Sequence, residues 1–326
     1  LPLKCPRFYN IYSCFFGGIE LAIILFAAMS QKRATIIYNP MSGRPARRAD
    51  NARRMAELLA ERGIQTEARA TAGPDDATRL AREAVNNGSD IIISYGGDGT
   101  LNEVLQGIVG TRAALAVWAG GTANVVARDL CLPTDVEQLA DTIAAGKTSR
   151  ITLGLARSGE QTSGRYFFMF AGIGLDASIA RKVNRKLKRR TGEFAFWLEG
   201  LKHILTWRAE TFVIEIDGKK FESVFALIGN GKGYGGGFCM APNARLDEPM
   251  FEVYIVPKRA TNLAYLRDLA AVARGNPAIK GVNIVKGSHV KANSSHEPWV
   301  EVDGELIGPL PMTFDVVPDA LSVIVP

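Results

Sequence analysis

From residue 34 the chain alternates short apolar runs with longer stretches of helical period. Residues 34–38, 65–70, 91–94 and 114–118 read as strands. Ile91-Ile92-Ile93 is apolar without alternation, the mark of a strand buried on both faces. Residues 46–62 place Ala49, Ala52, Met55, Ala56 and Leu59 on one helical face, with Arg and Asp opposite, and Gly63 closes the helix. Helices are also expected over 76–87, 101–109, 124–130 and 135–145. This strand-helix alternation through residue 148 predicts a doubly wound parallel sheet.

After 149 the period changes. Strands are predicted over 149–156, 166–170, 211–217, 221–229, 250–256, 288–292, 300–302, 313–317 and 321–325. Helices over 171–180 and 192–206 interrupt them. Asp217-Gly218 is a hairpin signal. Successive strands with few helices predict an antiparallel β-sandwich. The fold class is therefore an α/β N-terminal domain, 31–148, followed by a mainly β domain, 149–326, with return of the last strand to the first domain as an open option. Residues 1–30 differ from the rest. The apolar run over 11–28 contains Glu20, and Met29 precedes the first good strand. The expectation is that Met29 is the natural start and 1–28 upstream translation, with an N-terminal anchor as the alternative.

Three loops follow strands of the parallel sheet: 39–43, 96–100 and 120–124. Open α/β sheets bind ligands at the carboxyl ends of their strands, so these loops should gather there. Gly96-Gly97-Asp98-Gly99-Thr100 lets the backbone turn sharply and approach a ligand, and N–H groups at a helix start suit phosphate. A carboxylate among such amides needs a metal ion, a proton transfer or a structural hydrogen bond to explain it. Gly121-Thr122-Ala123-Asn124 repeats the device. The Walker A pattern is absent.

The composition is that of a globular protein, with 47% hydrophobic and 22% charged residues over 326 positions. The net charge of +6 points to an anionic partner without choosing among nucleotide, nucleic acid and membrane. Cys5, Cys14, Cys131 and Cys239 are scattered, which argues against a zinc site or a disulfide framework. His203, His289 and His296 show no ligand spacing. Residues 181–190 hold seven basic residues and no acids, and Phe194 and Trp197 follow. Arg185, Lys186, Lys188, Arg189, Phe194 and Trp197 suit docking to an anionic membrane surface, against a solvated helix face as the alternative. No nucleic-acid module is recognisable.

Asn39-Pro40-Met41-Ser42-Gly43, Gly96 to Glu103, Gly121 to Asn124, and Val302-Asp303-Gly304-Glu305 occur in this order. The set resembles the catalytic domain of the diacylglycerol kinase and related bacterial lipid kinase family, from about residue 32 onward. The glycine loop alone is shared with sphingosine kinases, NAD kinases and phosphofructokinases. The resemblance implies an ATP-dependent lipid kinase with Mg²⁺, and a lipid substrate at the cytoplasmic face of a membrane. Diacylglycerol, giving phosphatidic acid, is the default substrate. A sphingoid base, phosphatidylglycerol, or a soluble substrate as in NAD kinase are the alternatives. A homodimer is admitted and a nucleic-acid partner is not expected.

By position, the resemblance implies nucleotide contacts at Asn39, Ser42, Gly43, Thr71, Gly96, Gly97, Asp98, Gly99, Thr100, Asn102, Glu103, Gly121, Thr122 and Asn124. Glu305 falls where the family places its general base, and Asp98 is the rival. Asp98, Asp303 and Asp247 are candidate metal ligands, with turn capping as the other reading of Asp303 and a solvated loop acid as the other reading of Asp247. Many relatives have Thr where Met41 stands, and some have a metal-binding Asp-Gly pair where Glu248-Pro249 stands, which puts that metal site in doubt. Ser42 is either a phosphate contact or a turn-stabilising hydroxyl. Lys232, in the glycine-rich stretch 229–237, is either a phosphate contact or solvated.

Overall fold

The computed structural model describes residues 31–42, 47–159, 161, 163–182, 200, 202–234, 239–273 and 279–326. The leader, Gly43, the basic-aromatic residues 185–197 and the end of the glycine-rich stretch lie outside them. Strands β1 (Arg33–Tyr38), β2 (Gln65–Ala70), β3 (Ile91–Gly96) and β4 (Ala114–Ala119) pair in parallel in the order β2-β1-β3-β4. β3 is buried at every position, as its unalternating run requires. Ile91 and Ile93 pack with α1 (Arg48–Glu61) and α5 (Val136–Ala145). Ile92 points the other way, onto α2 (Asp76–Asn86) and α3 (Asp98–Ile108). The short α4 (Val125–Asp129) lies between β4 and α5 in sequence.

The rest of the chain forms β5 (Thr148–Ser158), β6 (Arg165–Phe167), β7 (Phe170–Ile173), α6 (Leu175–Lys182), β8 (Phe212–Ile216), β9 (Lys219–Ser223), β10 (Phe225–Gly229), β11 (Phe251–Val256), α7 (Asn262–Ala273), β12 (Asn283–Gly287), β13 (His289–Asn293), β14 (Trp299–Val302), β15 (Glu305–Pro309) and β16 (Met312–Ile324). Six strands, β12-β11-β10-β7-β14-β15, make one antiparallel sheet. β16, β13, β8 and β9 extend the parallel sheet instead, because the end of β16 pairs in parallel with β4 at Ser322 and Val323. Apolar residues of both sheets, including Phe167, Ile214, Ile228, Val253 and Phe314, fill the sandwich between them.

Several expected elements differ. The stretch 221–229 is two strands in different sheets; the chain turns a corner at Ser223, whose hydroxyl donates to the carbonyls of Phe225 and Val256. Residues 313–317 and 321–325 belong to one strand, β16, whose register shifts between Val317 and Leu321 where Asp319 takes a positive φ of 47°. The expected helix at 171 begins only at Leu175, and its first residues are β7. α3 begins at Asp98 rather than Leu101, so Asp98 and Thr100 belong to its first turn. β12, β15 and α7 have no counterpart in the sequence reading.

The hairpin β14–β15 turns at Asp303 and Gly304, both at positive φ (47° and 84°). Its position is set by two carboxylates, half-buried Asp303 and buried Glu301. Asp303 accepts N–H bonds from Phe168 (2.7 Å), Met169 (2.9 Å) and Phe170 (3.1 Å), which lie at the break between β6 and β7. The fourth donor is the Asn102 side chain on α3, at 3.0 Å. Two carboxylate oxygens offer about four lone-pair sites, and all are taken. Asp303 is therefore a backbone anchor and not the metal ligand considered from the sequence. Burial pushes its ionisation above the ordinary value of 3.8, and these N–H donors hold it back.

Glu301, 3% exposed, accepts the Gly304 N–H at 2.6 Å. Its other oxygen and Asp176 Oδ2 converge: a Cβ built on Gly172 would lie 2.7 Å from each. Asp176 accepts the Tyr234 hydroxyl on Oδ1 at 2.6 Å, while Oδ2 is buried without an N–H partner. Burial raises the ionisation of both acids, Glu301 well above its ordinary 4.5, and each opposes the charge of the other.

Two predictions follow from packing and burial. A Cβ on Gly107 of α3 would come within 2.6 Å of the Thr78 carbonyl on α2. Gly107→Val should lower the unfolding free energy by about 1–3 kcal/mol in urea denaturation, and an unchanged midpoint would contradict this contact. The acid pair has raised native pKa values, so the native state holds a proton that the unfolded chain releases. Its contribution is present below the ordinary carboxylate range and is lost as pH rises through the native values. Glu301→Gln should therefore flatten the fall in thermal midpoint as pH rises above the ordinary carboxylate range. A variant slope equal to the wild-type slope would refute the raised ionisation of the pair.

Candidate functional site

The three loops do gather at the carboxyl ends of β1, β3 and β4. They are clamped to one another. The Gly120 N–H donates to the Gly96 carbonyl at 2.8 Å, and a Cβ on Gly121 would lie 2.6 Å from Gly97 Cα. Only glycines allow the two loops to touch in this way. Asp98 accepts the Val125 N–H at 2.8 Å, so the first turn of α3 caps α4. Asn39 Nδ2 reaches Thr100 Oγ1 at 3.4 Å. Arg48, 4% exposed, donates from Nε to the Ser42 carbonyl at 2.8 Å and from Nη2 to the Gly120 carbonyl. Its guanidinium lies 4.2 Å from the Tyr95 ring, which in turn stacks on Trp118 at 3.6 Å. The result is a cradle whose backbone N–H groups, at the start of α3, face an anion-binding position.

The opposite wall is the β14–β15 turn. Glu305 Oε1 would be 3.9 Å from a Cβ on Gly99. A residue 206 positions later in the chain thus stands beside the glycine loop. Its Oε2 accepts from Arg165 Nη2, and the same Nη2 donates to Asn102 Oδ1 at 2.8 Å. Sequence reading missed Arg165 and Arg48. Each stands outside the motifs, and each has a partner far along the chain, 72 residues away for Arg48 and Gly120 and 140 for Arg165 and Glu305.

The predicted residues sort by what their side chains hold. Gly97, Asp98, Gly99, Gly121 and Thr122 line the open side of the cradle; Gly99 and Thr122 are exposed. Thr71 is half-buried at the end of β2, where its N–H donates to the Tyr38 carbonyl. Ser42 donates to the Asn39 carbonyl at 3.1 Å, which is the turn-stabilising alternative. Asn124 exchanges hydrogen bonds with Gly121 at 2.8 and 2.9 Å, so its side chain shapes its own loop.

Two of the expected nucleotide contacts have their side chains engaged within the protein. Asn102 is fully buried and joins α3 to Asp303, Tyr166 and Arg165. Glu103 is half-buried, accepts the Ala77 N–H at 3.2 Å, and has its ionisation raised above 4.5 by burial, to which the charge of Glu305 adds. Both lie past the first turn of α3. Asp247 is paired twice with Arg245, at 2.8 and 2.6 Å, which lowers its ionisation below 3.8. No group of three or more His, Cys, Asp or Glu is placed to hold a metal among the described residues. Lys232 is exposed, and its charge works against the burial that raises Asp129. No described helix is long and apolar enough to cross a membrane.

Comparison with known proteins reaches both halves of the chain. The family model for the diacylglycerol kinase catalytic domain matches residues 33–156. The model for the YegS C-terminal NAD kinase beta sandwich-like domain matches 170–325. A diacylglycerol kinase of Bacillus subtilis (strain 168) is 36% identical over 290 residues, 87% of this chain and 93% of that protein. One from Staphylococcus saprophyticus is 33% identical over 293 residues, covering 87% and 92%. The crystal structure of a diacylglycerol kinase from Bacillus anthracis str. Sterne shares the fold with a TM-score of 0.73 at 23% identity, over 90% of this chain and 97% of that one. A glycine cradle in a parallel sheet, a sandwich behind it and relatives matched along nearly their full length lead to one assignment: the chain belongs to the diacylglycerol kinase family, nucleotide-dependent lipid kinases that phosphorylate an alcohol group.

Proposed function

We propose that this chain transfers the γ-phosphate of ATP to the hydroxyl of a membrane lipid, diacylglycerol first among them, to give phosphatidic acid. The observation that carries the reading is the approach of Glu305 to Gly99. It sets a carboxylate across from an anion-binding helix start, where a hydroxyl nucleophile and a terminal phosphate would meet. Residues 31–148 then hold the nucleotide and 149–326 present the lipid. The N–H groups at Gly97 to Thr100 receive phosphate oxygens, and Thr122 stands exposed on the neighbouring loop. Glu305 accepts the lipid hydroxyl proton as the oxygen attacks phosphorus. In a loose transfer the proton moves late, so a carboxylate suffices as base and positioning carries most of the rate.

Magnesium fits this donor set in the way usual for nucleotide enzymes. Mg²⁺ takes one or two carboxylates and completes its shell with phosphates and water, and Asp98 is the carboxylate of the cradle. Bound there, the ion would neutralise charge on the phosphates. Asp98 also holds α4 through Val125, so it organises the loops as well.

The lipid has to be reached at a surface. The basic run 181–190 and Phe194 and Trp197 suit an anionic leaflet at the cytoplasmic face. Leu205 and Leu263, just beyond that segment, are 55% and 68% exposed, and Asn262 donates to the Leu205 carbonyl at 3.0 Å. Exposed leucines, in a chain that also carries this basic run, support insertion into a headgroup layer.

The test is an assay with labelled ATP and vesicles carrying diacylglycerol, a sphingoid base or phosphatidylglycerol in turn, with NAD as a soluble control. Label is expected in phosphatidic acid and to depend on Mg²⁺. Label in none of the lipids, from a folded protein that binds ATP, would sink the proposal. Glu305→Gln should lose about 10²- to 10⁴-fold in turnover with ATP affinity unchanged. Asp98→Asn keeps an oxygen for the Val125 N–H, so it should fold normally and need more Mg²⁺ for half-maximal rate. Wild-type Mg²⁺ dependence would remove the ion from Asp98.

A further inference from the structure

We propose that Arg165 is the positioning residue of Glu305: its guanidinium fixes the carboxylate beside Gly99 and ties it to α3, so that the base and the phosphate cradle keep one geometry. The inference rests on the reading of Glu305 as base. Arg165 opens β6 opposite Ala156 of β5. A Cβ on the exposed Gly164 before it would lie 2.5 Å from the Ala156 carbonyl, so the approach of β6 to β5 requires glycine there. The arginine therefore leaves a backbone paired to β5.

From that base one nitrogen, Nη2, serves both Glu305 and Asn102. Asn102 is one helical turn beyond the loop residues of α3 and is fully buried. The chain of contacts is short: cradle, Asn102, Arg165, Glu305. Among the described residues Arg165 is the hydrogen-bond donor given to the Glu305 carboxylate.

A stabilising role alone explains the arrangement poorly. The hairpin turn is already held by Asp303 and by the Gly304 N–H on Glu301. The Arg165 and Glu305 side chains are 25% and 27% exposed, and the cost of taking both charges partly out of water offsets much of their attraction. Arg165 Nε is buried without a partner, which opposes burial of the group. What the ion pair does supply is direction. A carboxylate on a free rotor samples several orientations, and a guanidinium shared with Asn102 selects one.

Four proteins test this: Arg165→Ala, Arg165→Gln, Glu305→Gln and the double variant Arg165→Ala/Glu305→Gln. Each is measured for thermal midpoint, ATP affinity and lipid phosphorylation. Arg165→Ala should lose about 10- to 100-fold in kcat with ATP affinity within about twofold of wild type. Ethylguanidinium added to it should restore part of the rate, which it cannot do if the loss is structural. The double variant should be no slower than Glu305→Gln, because Arg165 acts through Glu305. Arg165→Gln fills similar space without charge and serves the same comparisons if the alanine variant does not fold. Wild-type kcat in a folded Arg165 variant overturns the inference while leaving Glu305 as base. A double variant slower than Glu305→Gln by the full Arg165 factor also overturns it. Wild-type turnover in Glu305→Gln alone shows instead that the reading of Glu305 has failed.

Discussion

The structure turns on one half-buried carboxylate. Asp303 closes the β14–β15 hairpin, receives three consecutive N–H groups at the β6–β7 break, and takes the amide of Asn102 from α3. Hydrogen bonds to a charged group contribute about 1.5–3 kcal/mol each, and a carboxylate drawn partly out of water needs them. The arrangement is therefore all-or-none. If α3 shifts, Asp303 loses a donor; if the hairpin shifts, the β6–β7 break loses its acceptor. A helix of the parallel-sheet half and a hairpin of the sandwich half are locked in register by a group that does no chemistry. Glu305, two residues after Asp303, comes to Gly99 as a consequence.

The cradle obeys a similar logic. Its most conspicuous polar side chains hold the loops and leave the ligand to the backbone. Asn124 zips its own turn, Ser42 closes the 39–42 turn, Asp98 caps α4, and Arg48 ties the first loop to the third. The glycines then serve contact between loops as much as approach of a ligand, since Gly97 and Gly121 touch through their Cα atoms. A phosphate site made of amides needs this support, because N–H groups bind an anion well only when they are held in place before it arrives.

Legibility divides along this line. The parallel sheet, its helices and the three loops were readable because β3 is an unbroken apolar run and α1 is amphipathic. Asp217-Gly218 and Asp303-Gly304 announced their turns by type. What stayed hidden was partnership across long separations. Nothing near Asn102 says that its amide belongs to Asp303, 201 residues away. The position looked like part of a ligand-binding motif and is a joint. Ser223 and Asp319 escaped for another reason: a strand that changes sheet, or continues through a bulge, keeps its β composition while its pairing changes. Local pattern cannot separate 221–229 into two sheets or fuse 313–325 into one strand.

The continuity of β16 bears on how the two halves work together. Its first part pairs with β13 inside the sandwich, and its last part pairs with β4 beside the cradle. One 13-residue strand thus belongs to both halves. Rotation of one half against the other would have to break the β4 pairing or the Asp303 network, and each is a set of buried hydrogen bonds. Rigid halves of this kind favour a catalytic pair held at constant spacing, which is what transfer by positioning demands. Substrate access then has to come from segments that take no part in these joints. The exposed leucines at 205 and 263 stand on helices that neither β16 nor Asp303 restrains, so a surface could be engaged there without disturbing the spacing between Gly99 and Glu305.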